Sequence, residues 1–292
     1  MVGALRRVLL MAAPSGVDHE VARLLQHDAS LHVVRAFEPR ERSRAASASR
    51  DSLASQLDRV DYLKGAFEAV DTLMLALPDS PETLAQGEAV IQAAKWAGVR
   101  RIVYLNECGF PQGRANHLEG HVSIEDHLAA SDCQHVIIRP GVYMQDAVEF
   151  EGIPLIERSV VSSYAGDEPI EWVDADDVAA AVAICLRQAH AHNGRTFELV
   201  SEAKDYREVV QTISNVTGRP FHLMRHSPDD LLAAAAARSQ SSAHARSWLK
   251  ALEGHRPHEL DDQERSDLMM LLGRPGKSWA QFVAEHVPSF SN

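Results

Sequence analysis

The chain has 292 residues, enough to bury a sizeable core, and its 45% hydrophobic and 24% charged content is ordinary for a globular protein. A net charge of −12 predicts that the chain has no nucleic-acid partner. No apolar run approaches the roughly 18 residues of a membrane span, which predicts no membrane partner. Three scattered cysteines are typical of a reducing compartment, so we predict a cytoplasmic protein acting on a small molecule, with a homodimer left open.

Short β-branched runs alternate with amphipathic helical stretches in the first half of the chain, a pattern typical of a parallel sheet with crossover helices. The pattern predicts a charged loop over 38–55 and a helix end at Gly98. Strands are predicted over 8–11, 31–37, 72–77, 101–105 and 135–139. Helices are predicted over 18–25, 63–69, 81–97 and 117–130.

The second half mixes short strands and turns with longer helices. Helices are predicted over 174–188, 205–217, 229–252 and 279–286, and a strand over 196–200. We therefore predict an α/β fold with a Rossmann-like doubly wound parallel sheet over 1–150 and a smaller α/β region over 151–292 that covers the substrate. The segment 174–200 is expected to return to the sheet.

Several segments carry a family resemblance in the right order along nearly the whole chain. They are 93–105 (AAKWAGVRRIVYL), 138–144 (IRPGVYM), 172–179 (WVDADDVA), 217–220 (TGRP), and 273–275 (GRP) followed by 278–282 (SWAQF). This set resembles the NmrA-like branch of the atypical short-chain dehydrogenases, which includes the ergot-alkaloid reductases of the festuclavine and agroclavine type. The resemblance implies the fold but not one function, since different sites are built on the same fold.

The family's first strand leads into a Gly-x-x-Gly-x-x-Gly turn that lets the backbone approach a diphosphate. Its three glycine positions are here Ala12, Ser15 and Asp18. A carboxylate at Asp18 is expected to take the N–H donors of the helix N-terminus and to repel a diphosphate, so no cofactor is favoured. NAD or NADP is the alternative, and the residues expected to bind it are then Ser15, Gly16, Glu38, Arg40 and Pro78.

Candidate catalytic residues follow the strands, because ligands of open parallel sheets lie beyond the carboxyl ends of the strands. Asn106 and Glu107 follow the strand 101–105, and Tyr143 follows the strand 135–139. The resemblance places Asn106 near the serine of related dehydrogenases and His121 at their lysine position. His121 is therefore the candidate general acid or base, since histidine titrates near neutral pH.

A metal site is not predicted. His117, His121 and Glu125 are spaced to share one helix face, but the sequence has no HExxH pattern and no further ligand can be placed. The alternative interpretation of these histidines is a solvent-facing polar helix surface.

Three functions remain open at this point. The first is a divergent enzyme of specialised metabolism that performs cofactor-independent acid–base chemistry, such as cyclisation, isomerisation or elimination. The second is an NAD(P)H-dependent reductase of an imine, enone or quinone. The third is a non-catalytic sensor or regulator, the role that the resemblance to NmrA itself implies.

Overall fold

The computed structural model describes residues 5–11, 16–35, 60–77, 82–106, 119–150, 153–188, 190–237, 245–246, 248–249 and 262–290. The chain divides into two compact units. The first unit contains the described residues within 1–107, 119–138 and 179–197, and the second contains those within 139–178 and 198–292. The predicted boundary at residue 150 stays a prediction.

The strands in these ranges are β1 (Arg6–Leu10), β2 (Leu31–Arg35), β3 (Thr72–Ala76), β4 (Arg101–Leu105), β5 (Gln134–Pro140), β6 (Val142–Tyr143), β7 (Glu149–Phe150), β8 (Ile153–Pro154), β9 (Ile156–Glu157), β10 (Val160–Ser163), β11 (Ile170–Val173), β12 (Arg195–Leu199), β13 (Glu202–Lys204) and β14 (His222–Arg225). The helices are α1 (Val17–Leu25), α2 (Val60–Ala66), α3 (Thr83–Ala97), α4 (Glu119–Ala129), α5 (Ala175–Arg187), α6 (Tyr206–Thr217), α7 (Pro228–Ala237), α8 (Asp262–Leu272) and α9 (Trp279–Glu285).

A six-stranded sheet, in the order β12-β5-β4-β3-β1-β2, forms the centre of the fold. β1 pairs in parallel with both β2 and β3, and β4 pairs in parallel with β3 and β5. All five residues of β3 are buried, as expected for a strand covered on both faces. The strand order reverses between β1 and β3, where ligands of such sheets bind. The predicted Rossmann-like, doubly wound fold class is confirmed.

Two helices of the first unit, α1 and α3, end at the predicted residues, whereas α2 ends at Ala66, three residues before its predicted end. α3 ends at Gly98, whose left-handed φ of 79° lets its N–H donate to the carbonyl oxygens of Ala94 and Lys95. Within this unit, aliphatic side chains of the strands and helices form a continuous core that includes Leu73, Leu75 and Ile102.

The second unit contains two three-stranded sheets, β14-β10-β9 and β13-β11-β6, and the hairpin of β7 and β8. Its core is rich in aromatic residues. The N-terminus of α6 is fixed by a capping box, in which Asp205 accepts from the backbone N–H of Glu208 and Glu208 accepts from that of Asp205. Ser278 and Gln281 form the same arrangement at the start of α9.

Some elements differ from the prediction. β14 was not predicted, because its sequence HLMR lacks a β-branched pattern and it forms by pairing with β10. α8 was also not predicted. The helix predicted over 229–252 is described as α7 only to Ala237, and the loop predicted over 38–55 lies outside the described residues. Within the described ranges, no helix is both long and apolar enough to span a bilayer.

Candidate functional site

The start of α1, just after β1, has the geometry of an anion-binding helix N-terminus. Gly16 is the N-cap residue and adopts a left-handed conformation, with φ 73° and ψ 14°. A β-carbon added at Gly16 would meet no heavy atom of the described residues within 4 Å, so there is open space at that position. The first N–H groups of a helix have no partners within it and attract anions.

Asp18 lies in the first turn of α1 and is paired with Arg35, the last residue of β2. The Nη2 atom of Arg35 lies 2.7 Å from Oδ2 of Asp18, and its Nε lies 3.2 Å from the same oxygen. Both side chains are largely buried, with 18% and 5% of their surfaces exposed. The pair is neutral overall, so the carboxylate at this helix does not act as an isolated negative charge.

Two buried polar pairs connect α4 to β4 and to Asn106, the residue that follows β4. Oη of Tyr104 lies 2.5 Å from Nδ1 of His121, and Nδ2 of Asn106 donates to Oε1 of Glu125 at 3.0 Å. All four side chains are buried. Tyr104 and Asn106 are two residues apart and share one strand face, whereas His121 and Glu125 are four apart and share one helix face. We call these four residues the polar ladder.

Two of the predicted catalytic residues, His121 and Asn106, belong to the polar ladder. His121 is fully buried rather than solvent-facing, and Tyr104 holds its imidazole. Asn106 lies at the carboxyl end of β4, where its backbone N–H donates to the carbonyl oxygen of Ile138 and Glu125 orients its carboxamide. The catalytic roles of His121 and Asn106 stay predictions.

Tyr143, the third predicted residue that the structure describes, belongs to the second unit. It is buried on β6, opposite Val173 of β11. Gln145, two residues later, donates from Nε2 to Asp174 and accepts from the backbone N–H of Ala175. Seven residues named from the sequence lie outside the described ranges: Ala12, Ser15, Glu38, Arg40, Pro78, Glu107 and His117.

A cluster of charges at the start of α5 was not predicted from the sequence, because its members come from distant segments. Asp177 is fully buried and accepts from the guanidinium of Arg274 and from the backbone N–H of Lys277, both at 2.6 Å. Nζ of Lys277 lies 3.2 Å from Asp174 and 2.8 Å from Glu285. Burial acts to lower the pKa of Lys277, but these carboxylates outweigh it and raise that pKa. The segments WVDADDVA and GRPGKSW, about 100 residues apart, thus bind each other.

Among the described residues, no group of three or more His, Cys, Asp or Glu side chains is arranged to hold a metal ion. The thiols of the two described cysteines are buried. Burial raises the pKa of Cys133 and raises that of Cys185 to about 12, so neither has the character of a nucleophile.

A doubly wound parallel sheet whose first helix begins at a left-handed glycine is the Rossmann-like architecture. The chain belongs to the NmrA-like family, whose model matches residues 20–250.

Two relatives with known activities are similar over most of the chain. The (4-alkanoyl-5-oxo-2,5-dihydrofuran-3-yl)methyl phosphate reductase of Streptomyces griseus is 28% identical over 233 residues, which cover 78% of this chain and 80% of that protein. The NAD(P)H azoreductase of Xenophilus azovorans is 24% identical over 97% of this chain and 99% of its own length. The fold is similar to that of the NADPH-dependent quinone oxidoreductase of Escherichia coli complexed with NADPH, with a TM-score of 0.73 and 22% identity over 96% of this chain and 99% of that one.

These comparisons correct two expectations. The expectation that no nicotinamide cofactor is used is wrong, since the relatives are reductases, one named for NAD(P)H, and the similar structure holds NADPH. They also favour the reductase alternative over cofactor-independent chemistry. The sequence shows the negative charge of Asp18, but it does not show the contact with Arg35 that neutralises this charge.

Proposed function

We propose that this chain is an NAD(P)H-dependent reductase of a small conjugated acceptor such as a quinone, enone or imine. The observation that carries the proposal is the open, left-handed Gly16 at the N-terminus of α1. A bound nicotinamide cofactor would supply a hydride to the acceptor. The names of the relatives support the same chemistry.

The chain's own residues fit a diphosphate at this helix. The backbone N–H groups of the first turn of α1 point toward the space before the helix, where the helix dipole favours negative charge. Gly16 has no β-carbon to occupy that space, so a phosphate can approach the backbone closely. Arg35 neutralises Asp18 and thereby removes the repulsion that a lone carboxylate would exert on a diphosphate.

Asn106 is the best-placed candidate to contact the nicotinamide or the acceptor. It follows β4 at the carboxyl edge of the sheet, and Glu125 fixes its carboxamide through a buried hydrogen bond. A side chain held by such a contact loses little freedom when a ligand binds, which favours precise positioning.

The experiment that tests this proposal compares two glycines of similar geometry. Gly16 and Gly98 both have left-handed φ angles, of 73° and 79°, and a β-carbon on either would meet no neighbour within 4 Å. Gly16→Ala and Gly98→Ala should therefore cost similar stability, about 1–2 kcal/mol. NADPH and NADH are titrated against the parent and both variants by calorimetry, with a Kd on the order of micromolar expected for the parent.

Gly16→Ala is expected to weaken cofactor binding about tenfold or more, since about 1.4 kcal/mol of lost contact suffices for that change. Gly98→Ala should bind the cofactor with the parent's affinity, because Gly98 lies at the C-terminus of α3 rather than at the N-terminus of α1. Equal effects of the two substitutions would contradict the assignment of the site. A parent protein that binds neither NADPH nor NADH would contradict the proposed function itself.

A further inference from the structure

Two arginines lie close together at the amino edge of the six-stranded sheet, in the first unit. Arg6 is the first residue of β1 and Arg101 is the first residue of β4, while Thr72 begins β3, the strand between them. The register pairs Arg101 with Thr72, and Thr72 with Val8, two residues after Arg6. Residues paired in adjacent parallel strands, and residues two apart along a strand, share one face of a sheet. Arg6, Thr72 and Arg101 therefore lie on the same face at the same edge.

Two polar atoms of this group are buried donors that have no acceptor among the residues that the structure describes. They are the Nη1 atom of Arg101 and the Oγ1 atom of Thr72. Thr72 is fully buried, whereas Arg6 and Arg101 are half-buried, so the group reaches from the interior to the surface. Buried polar groups are nearly always paired, so these donors call for a bound acceptor, either water or an anion.

The charges of the two arginines favour an anion over water. Nη2 of Arg6 donates to the carbonyl oxygen of Arg187 at 3.2 Å, and Nε of Arg101 donates to Oε1 of Gln134 at 3.0 Å. Both acceptors are neutral. Within the described ranges, neither guanidinium forms an ion pair with a carboxylate, so both positive charges remain unneutralised by contact.

The neighbouring carboxylate does not change this balance. Asp71, the residue before Thr72, contacts the guanidinium of Arg100 instead. Burial, and then the positive charges of Arg100 and Arg6, lower the pKa of Arg101, although Asp71 raises it. A divalent anion between Arg6 and Arg101 would remove the repulsion between the two guanidiniums.

We propose that Arg6, Thr72 and Arg101 bind a divalent tetrahedral oxyanion, such as a phosphate group, at the amino edge of the sheet. Guanidinium groups donate to phosphate oxygens through pairs of parallel N–H groups. The donors here come from three neighbouring strands. The oxygens of a tetrahedral anion point in enough directions to meet all three, whereas the two oxygens of a carboxylate lie in one plane.

This site is separate from the cofactor site proposed at α1. β1 runs from Arg6 at the amino edge to Leu10 at the opposite edge, and Gly16 with the start of α1 follows that opposite edge. At about 3.3 Å per residue, the ends of this strand are roughly 13 Å apart. Both sites can therefore be occupied together, and the inference goes beyond the proposed function without resting on it.

Arg7 provides a matched control on the same strand. It is also half-buried, and its Nε is also a buried donor without an acceptor among the described residues. Because it adjoins Arg6, its side chain lies on the other face. There its Nη1 donates to the carbonyl oxygen of Glu68 at 3.1 Å, and its backbone N–H donates to Oδ2 of Asp71 at 3.0 Å. We assign Arg7 no ligand.

The experiment titrates inorganic phosphate into the full chain by calorimetry, at constant ionic strength and at about pH 8, where a phosphate group is divalent. The parent should bind with a Kd on the order of a millimolar or less. Arg6→Gln and Arg101→Gln should each weaken phosphate binding about tenfold or more. Arg7→Gln, which removes the same charge from the same strand, should leave the affinity within about twofold of the parent.

Thr72→Val keeps the shape of the side chain and removes its hydroxyl. It should weaken phosphate binding about fivefold. Because the hydroxyl is unpaired in the ligand-free protein, the same substitution should raise the Tm measured without phosphate. This variant decides the question if the arginine substitutions prevent folding.

Two further probes define the ligand. Malonate, a divalent dicarboxylate, should bind at least about tenfold more weakly than phosphate. Glycerol 2-phosphate distinguishes the source of the phosphate group, since tighter binding than inorganic phosphate supports an esterified ligand and weaker binding supports the free ion.

The inference would be overturned if the parent bound no phosphate below about 10 mM. Equal weakening by Arg7→Gln and Arg6→Gln would show a general attraction of charge rather than a site. Equal affinity for malonate and phosphate would contradict the tetrahedral geometry, and unchanged phosphate affinity in Thr72→Val would contradict the role of the hydroxyl. Displacement of phosphate by NADPH would place the anion at α1 instead, whereas simultaneous binding supports two sites.

Discussion

Two sets of buried polar groups, one in each unit, differ in whether their members have hydrogen-bond partners. In the first unit, the four side chains of the polar ladder contact one another in two pairs across β4 and α4. In the second unit, Tyr206 and Trp248 bury donors that have no acceptor among the described residues. A paired polar group stabilises its unit and fixes the geometry of its neighbours, whereas an unpaired donor lowers stability and is available to a ligand. The difference predicts which substitutions change stability and which change binding.

The largest expected effect is that of His121→Ala in the polar ladder. The substitution removes a fully buried ring and takes the partner from the hydroxyl of Tyr104, so cavity and unmet hydrogen bonding add together. We expect the free energy of unfolding to fall by about 2–4 kcal/mol, measured by urea denaturation.

The result also tests the catalytic role predicted for His121. A variant that stays folded and loses turnover while retaining cofactor binding would support a general acid or base. A loss of stability below about 1 kcal/mol would contradict the comparison between the paired groups of the first unit and the unpaired donors of the second. It would show that the imidazole contributes little to the buried pair.

The same substitution, tyrosine to phenylalanine, should change the free energy of unfolding in opposite directions in the two units. Tyr104→Phe deletes the hydroxyl that contacts His121 and is expected to destabilise the protein by about 1–3 kcal/mol. Tyr206→Phe deletes a hydroxyl with no acceptor among the described residues and should stabilise the ligand-free protein by about 1 kcal/mol. Thermal unfolding of both variants beside the parent measures the two signs. A destabilised Tyr206→Phe would show that the hydroxyl is already satisfied, for example by water.

The sequence predicts the strands of the sheet better than the contacts of the site. β4 has the bounds 101–105 that its β-branched run predicts, and Gly98 ends α3 as expected. Asn106 and His121 could be named because the resemblance places them near known positions. Of their partners, Glu125 was named with His121 on one helix face, whereas Tyr104 was not named although it shares a strand face with Asn106.

Other contacts leave no local signal in the sequence. Arg35 neutralises Asp18 from a different strand, and the Lys277 ammonium reaches Asp174 across about 100 residues of chain. Such pairs form only when the fold brings distant segments together. The sequence shows the charge of Asp18 but not its partner Arg35, so the prediction that this charge excludes a diphosphate left out the contact that neutralises it.

The smallest expected effect comes from removing both members of the second pair of the polar ladder. Asn106→Leu or Glu125→Leu alone leaves the other polar group without this partner in a buried site and should cost about 1–3 kcal/mol. Replacing both residues together should lower the free energy of unfolding by less than the sum of the single changes. In the double variant, neither polar group is left buried without its partner. Denaturant unfolding of the three variants gives the coupling energy, and additive effects would show that the contact contributes nothing. Comparing the double variant with Glu125→Leu isolates the role of Asn106, since a stable double variant that binds cofactor but has lost the turnover that Glu125→Leu retains would place this carboxamide in the chemistry rather than in the packing.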